Sequence, residues 1–156
     1  MTGLFSNTFT RKRLAEEVKR AAGLQKPCSF LLFGIDKFED YHKSFGRLAA
    51  ENILIKIAAV FKDSIEPTDK ASRFGDHEFA LILPGKNKRE SIKVADEIRK
   101  KIEITFGKEE SERKRLTSTA VITENPIDGT TAEELILKSG VLLAEAMTQG
   151  SNRICY

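Results

Sequence analysis

The sequence predicts an α/β domain, a sheet with helices packed against it, and three observations carry that expectation. Short apolar runs of strand character alternate along the chain with longer stretches of helical periodicity. The 156 residues suit one compact domain with one core, and no repeat, low-complexity tract or linker divides them, so residues 1–156 are expected to form a single domain. Hydrophobic residues make up 40% and charged residues 31%, which is apolar enough to build a core and argues against disorder.

Taken in order, residues 8–22 place Leu14, Val18 and Ala21 three or four apart among Arg, Lys and Glu, which predicts an amphipathic helix. Residues 28–35 form a nearly continuous apolar run between Pro27 and Asp36, read as a strand covered on both faces. Residues 36–45 read as a short helix or turn ending near Gly46. Across residues 48–64, Ile53, Ile57, Val60 and Phe61 share one helical face, and Pro67 and Asp69 break the pattern. Residues 70–74 and 78–83 are strand-like and separated only by Gly75, Asp76 and His77, which predicts a β-hairpin. A further amphipathic helix follows over 91–104, then a charge-dense stretch over 107–115 that is expected to be a solvated loop. Residues 116–123 favour a strand, and 126–131 carry turn chemistry. Thr131 and Glu134 open a last helix in the manner of a capping box, running to about Thr148. Gly150 ends it, and residues 153–155 form a short last strand.

The bulk properties exclude several function classes. A net charge of +3 from 26 basic and 23 acidic residues gives no strong basic stripe. Lys86-Asn-Lys-Arg89 and Arg99-Lys-Lys101 lack a groove with interleaved aromatics, so no nucleic-acid partner is expected. No apolar run approaches the roughly 18 residues that span a bilayer, and Met-Thr-Gly-Leu-Phe at the start lacks a signal-peptide pattern. No membrane partner is expected in this segment. Cys28 and Cys155 are far apart, lack metal-ligand spacing and fall in strand-like segments, so both are expected to be buried free thiols in a reducing, cytoplasmic setting.

One segment carries a specific signal. The hairpin Arg73-Phe-Gly-Asp-His-Glu-Phe79 resembles the Arg-x-Gly-Gly-(Asp/Glu)-Glu-Phe signature of GGDEF (diguanylate cyclase) domains, with Gly75, Glu78 and Phe79 in place and Asp76 and His77 as departures. Thr2-Gly-Leu4 with Asn7 is similar to the family's opening, Phe33-Gly-Ile-Asp-Lys-Phe38 to the end of its first strand, and Gly150-Ser-Asn-Arg-Ile154 to its closing motif. The resemblance covers essentially the whole chain. It implies a central five-stranded mixed sheet flanked by helices, related to class III nucleotide cyclases and polymerase palms.

It also implies a chemistry, the joining of two GTP molecules into cyclic di-GMP by a dimer with one GTP per domain. Attack of a 3′-hydroxyl on an α-phosphate needs divalent metals, and magnesium prefers carboxylate oxygens. Carried over residue by residue, the positions that would do this are mostly altered. The metal positions are Gly34, Ile35 and His77: a carboxylate is missing at Gly34, and His77 puts an imidazole where the family has an acid. Asp76 places a negative charge where bare backbone would approach a triphosphate. Asp36 and Glu78 remain as nearby carboxylates. The guanine positions fall at His42 and Glu51, of which Glu51 keeps the family's charge. The phosphate-gripping Lys and Arg fall at Met147 and Ser151, and losing two cations facing phosphate removes contacts worth roughly 1.5–3 kcal/mol each. Arg153 lies two residues beyond Ser151, a displacement of about 6–7 Å along a strand. The product-inhibition pair falls at Glu66 and Asp69, an acid replacing the family's Arg.

Such concerted departures imply a catalytically inactive regulatory or protein-interaction domain of bacterial signalling, without catalytic residues or bound cofactor. A protein partner is expected, together with a possible weak homodimer. The alternative is a nucleotide-sensing domain that binds GTP or ATP, with magnesium, without turnover. A working diguanylate cyclase is the reading the departures oppose. A zinc site from His42, His77, Asp36 and Glu78 competes with polar residues filling a vacated pocket, and the distance expected between guanine and metal ends favours the second.

Overall fold

The computed structural model describes residues 2–156. In chain order the elements are α1 (Asn7–Leu24), β1 (Cys28–Ile35), α2 (Phe38–Ser64), β2 (Lys70–Gly75), β3 (Glu78–Pro84), α3 (Lys88–Gly107), a 3₁₀ turn (Glu112–Lys114), β4 (Ser118–Asn125), α4 (Ala132–Gln149) and β5 (Ile154–Cys155). The five strands form one sheet in the order β2-β3-β1-β4-β5. The first four are antiparallel neighbours, and β5 joins β4 in parallel.

β1 lies in the middle, and all its residues are buried, as its unbroken apolar run requires. Strand alternation divides the core into two layers. Leu31, Phe33 and Ile35 meet Ile57 and Phe61 of α2 and Ile98 of α3 on one face. Cys28, Phe30 and Leu32 meet Leu14 and Val18 of α1 and Leu135 and Leu143 of α4 on the other. Gly34 shares the parity of the second set, which turns its missing side chain toward α4.

The element boundaries have local causes. α3 begins three residues before the expected helix because Asn87 and Glu90 form a reciprocal capping box, each side chain accepting from the other's backbone amide. At α4 the expected box is one-sided: Thr131 Oγ1 accepts from the Glu134 amide, whereas the Glu134 carboxylate meets the Thr131 hydroxyl. Gly46 breaks α2 into the two pieces read in the sequence, with φ 87° and ψ 173°. Gly150 follows α4 in an extended conformation (φ 167°) rather than a left-handed cap. The outer edge of β2 is covered by the chain's start: the Phe5 amide donates to the Ala71 carbonyl (3.3 Å) and the Arg73 amide to the Phe5 carbonyl (3.0 Å).

At the end of the sheet away from the β2–β3 connection, Asp128 ties three elements together. Its side chain takes the Lys88 ammonium of α3 at 2.9 Å, the Lys138 ammonium of α4 and the Glu124 amide of β4 at 2.9 Å. Burial alone would raise its pKa, but these donors together hold the carboxyl below the usual carboxylate range. Cys28 is buried as expected, and its thiol is pushed up to about 12, by burial first and then by the charge of Glu17. Cys155 departs from expectation and is only partly buried, because β5 is a two-residue edge strand with solvent beside it.

Candidate functional site

The β2–β3 hairpin is closed by Asp76 and His77 alone, with a bulge between Arg73 and Gly75. Arg73 Nη2 donates to the Asp76 carbonyl at 2.6 Å, and the Ile35 amide donates to the His77 carbonyl at 3.2 Å, which fixes the turn against the end of β1. Phe79 anchors the hairpin in the core, stacked on Phe61 with ring centroids 5.0 Å apart. From the other side, Asn7 of α1 donates to the Phe74 carbonyl at 2.8 Å, and the Arg11 guanidinium lies 5.3 Å from the Phe74 ring. Glu78 stays beside Gly75, where a Cβ would lie 2.6 Å from Glu78 Oε1.

The His77 ring stacks on Phe38 at 5.2 Å and 18°, and His42 lies 6.4 Å from the same ring. Both histidines therefore flank one phenyl group. The reason is the tight start of α2, which brings Phe38 between them one turn before His42. With Glu39, Arg47, Ala50, Glu51, Leu54, Arg73 and Asp76, these residues line a cavity of about 290 Å³. Four residues singled out in the sequence, His42, Glu51, Asp76 and His77, thus share one cavity. Among the described residues, no group of three or more His, Cys, Asp or Glu is placed to hold a metal ion.

Gly34, Met147 and Asp36 lie apart from that cavity. A Cβ on Gly34 would fall 2.7 Å from Met147 Sδ and 3.5 Å from Leu143 Cδ2, so the thioether fills the space a side chain at position 34 would need. Asp36 is buried, and its carboxylate is fully engaged. Thr119 Oγ1 donates to one oxygen (2.8 Å), while Thr117 Oγ1 (2.7 Å) and the Asn152 amide (2.9 Å) donate to the other. Ser151 is exposed and, with Asp36 and Asn152, borders a second cavity of about 740 Å³ near the start of α2. Arg153 turns back onto α4, its Nη2 donating to the Ala146 carbonyl at 2.8 Å. Glu66 and Asp69 sit on the far flank, where Asp69 Oδ2 caps the Glu66 amide (3.0 Å) and both carboxylates pair with Lys86, at 3.2 Å for Asp69 and 3.7 Å for Glu66.

The family model described as diguanylate cyclase, GGDEF domain, matches residues 1–153. The chain belongs to the GGDEF domain family. Diguanylate cyclase DosC of Escherichia coli (strain K12) is 28% identical over 105 residues, covering 67% of this chain and 23% of DosC. The chain thus spans about a quarter of that curated relative's length. Among solved structures, the GGDEF domain of YfiN (TpbB) from Pseudomonas aeruginosa superposes with a TM-score of 0.89 at 20% identity, over 99% of this chain and 98% of that one. Diguanylate cyclase SiaD of the same organism, solved in complex with its activator SiaC, gives 0.89 at 21% identity over 99% of this chain and 60% of that one. The five-stranded mixed sheet with flanking helices is the fold these structures share with it.

Several residues that shape this GGDEF domain's site carry no clear mark in the sequence. Lys86 reads there only as part of a basic run, because its partners Glu66 and Asp69 lie on the far side of the hairpin in sequence. Thr117 and Thr119 alternate on one face of the chain entering β4, a period-two signal, but their meeting with Asp36, just past β1, depends on the register Ile35 to Ser118. Glu39 and Arg47 help to line the small cavity, and nothing in their spacing marks them, whereas Arg73 opens the signature hairpin.

Proposed function

We propose that this GGDEF domain is catalytically inactive and serves as a regulatory or protein-binding module in cyclic di-GMP signalling. The observation that carries this is the contact of Met147 with Gly34. One apolar contact occupies the two positions where the family resemblance calls for a metal-binding carboxylate and a phosphate-gripping ammonium. Magnesium, which the resemblance implies, does not fit the remaining residues. Gly34 offers no oxygen ligand, His77 stacks on Phe38, and Asp36 already accepts three hydrogen bonds. Product inhibition is lost on the same reasoning, since Glu66 and Asp69 both pair with Lys86. A protein partner suits the arrangement, and SiaD, a neighbour in fold, was solved with its activator protein SiaC. Weak self-association belongs to this reading, as active members work in pairs.

A second reading is favoured by one feature: Glu51 and His42 still line an open cavity of about 290 Å³. On that reading the domain senses a nucleotide without turning it over. Isothermal titration calorimetry with GTP and magnesium, followed by analysis of the mixture for cyclic di-GMP, separates the outcomes. No heat and no product is the expected result, and it turns the search to protein partners. Micromolar binding without product establishes the sensor instead. Any cyclic di-GMP formed by the purified chain overturns both.

A further inference from the structure

α1 and α4 pack side by side on one face of the sheet and leave their outer sides exposed. α1 ends just before β1 begins, α4 begins just after β4 ends, and Cys28 pairs with Asn125, so the two helices run in opposite directions. On α4, Glu133, Leu137, Val141 and Glu145 recur every four residues and are all exposed, Leu137 at 72% and Val141 at 52%. This row has an apolar middle and an acid at each end. On α1, Lys12, Ala15, Lys19 and Ala22 follow three and four apart and are also exposed, so cations alternate with side chains small enough to admit a neighbouring helix. Leu24 at the end of α1 and Ile127 in the turn before α4 add exposed apolar side chains at the same end of the sheet. Among the described residues, Lys12, Lys19, Glu133 and Glu145 have no oppositely charged side chain within 4.0 Å.

We propose that this face binds a second copy of the chain, with α1 of each molecule lying on α4 of the other. A two-fold axis along the helices, in the plane of contact, produces that pairing, and the charges select it. It sets the cations of α1 against the acids of α4, and the alanines of α1 against Leu137 and Val141. An axis across the helices would instead lay α1 on α1 and bring like charges together. Glu16 and Lys138 oppose the pairing, but α1 exposes four basic residues against one acid, and α4 three acids against one base. Two helices of 18 residues, each about 27 Å long and about 10 Å apart, offer on the order of 500 Å² per copy, which fits a weak, reversible dimer. The assignment gives the weak self-association of the proposed function a place. It does not rest on the loss of catalysis, since no residue of α1 or α4 lines either cavity.

Sedimentation equilibrium of the whole chain from about 5 µM to about 500 µM, in low-salt buffer, tests the assignment. A monomer–dimer equilibrium with a Kd of about 10–100 µM is expected, weakening several-fold when salt is raised to about 0.5 M. Lys12→Glu/Lys19→Glu and Glu133→Lys/Glu145→Lys should each raise the Kd by at least about tenfold, because each leaves like charges on both helices. An equimolar mixture of the two variants should dimerise about as well as the parent, because the acidic α1 of one then meets the basic α4 of the other. That recovery also guards against misfolding, since an unfolded variant could not provide it. Leu137→Ala, at an exposed position outside the core, should weaken the dimer by about threefold. A dimer indifferent to both double variants, or a mixture of normally melting variants that fails to recover, overturns the proposal. Growth beyond a dimer overturns it too, because a two-fold contact closes. A chain that stays monomeric throughout leaves the face to a different partner and likewise overturns it, while the titration with GTP still decides the inactive reading. Cyclic di-GMP production would sink that reading and leave this assignment standing.

Discussion

Gly34 and Met147 act as one unit at the scale of single residues. The sulfur lies only 2.7 Å from where a Cβ at position 34 would fall, so Gly34→Ala requires the methionine to move. Overpacking of this kind costs on the order of 1 kcal/mol when the neighbour is an unbranched thioether that can find another rotamer. In a double-mutant cycle read by urea denaturation, Gly34→Ala is expected to cost less in a Met147→Ala background, because the obstructing sulfur is gone. Additive costs would count against the contact. The two cysteines separate in the same local way. With its thiol pushed up to about 12, Cys28 is expected to ignore a thiol-titrating disulfide reagent at neutral pH until the chain unfolds, while the partly buried Cys155 reacts in the native state. Each departure at the positions where the family resemblance places catalysis is legible from the motif. Their mutual fit is not, since it depends on which face of β1 Gly34 occupies and on where α4 crosses it. The same limit hides Lys86, whose role exists only once the hairpin brings Glu66 and Asp69 to it.

At the scale of elements, α2 depends on the break at Gly46. A φ of 87° lies in the left-handed half of conformational space, where a side chain is strained. Gly46→Ala has open space for its Cβ, so the expected destabilisation of about 1–2 kcal/mol in thermal or urea unfolding is backbone strain alone. A variant as stable as the parent would show that the break shifts without cost. The unbroken apolar run of β1 and the hairpin are legible because strong punctuation bounds them, at Pro27 and Asp36 for the first and at Gly75 for the second. Less legible is the start of α3, where Asn87 and Glu90 cap each other three residues before the apolar periodicity begins. The turn at Glu112–Lys114 is hidden for a different reason. Its composition is that of a solvated loop, and its order comes from Arg115 binding nearby carbonyls and Lys114 meeting Phe45, neither of which leaves a periodic trace.

For the molecule as a whole, the sheet is held at both ends, and the end away from the hairpin turn responds to acid. Asp128 titrates below its ordinary value in the folded chain, so it contributes stability that is fully present above the unfolded value near 3.9 and is lost as pH falls through the lower folded value. Asp96, held low by Lys100 and then Arg99, adds in the same direction. Unfolding free energy measured in urea is therefore expected to fall between about pH 5 and pH 2, and Asp128→Asn is expected to flatten that limb. An unchanged slope would mean the Lys88 and Lys138 contacts do not couple to folding. The two flanks of the sheet have a different consequence. β5 offers only two residues to any incoming strand, and β2 is already paired along part of its length by Phe5. Open flanks are how sheet proteins join into insoluble polymers. A version of this chain trimmed past Phe5 is expected to keep its core and yet lose solubility at high concentration, because the amides and carbonyls of β2 would then be free to recruit a neighbouring molecule.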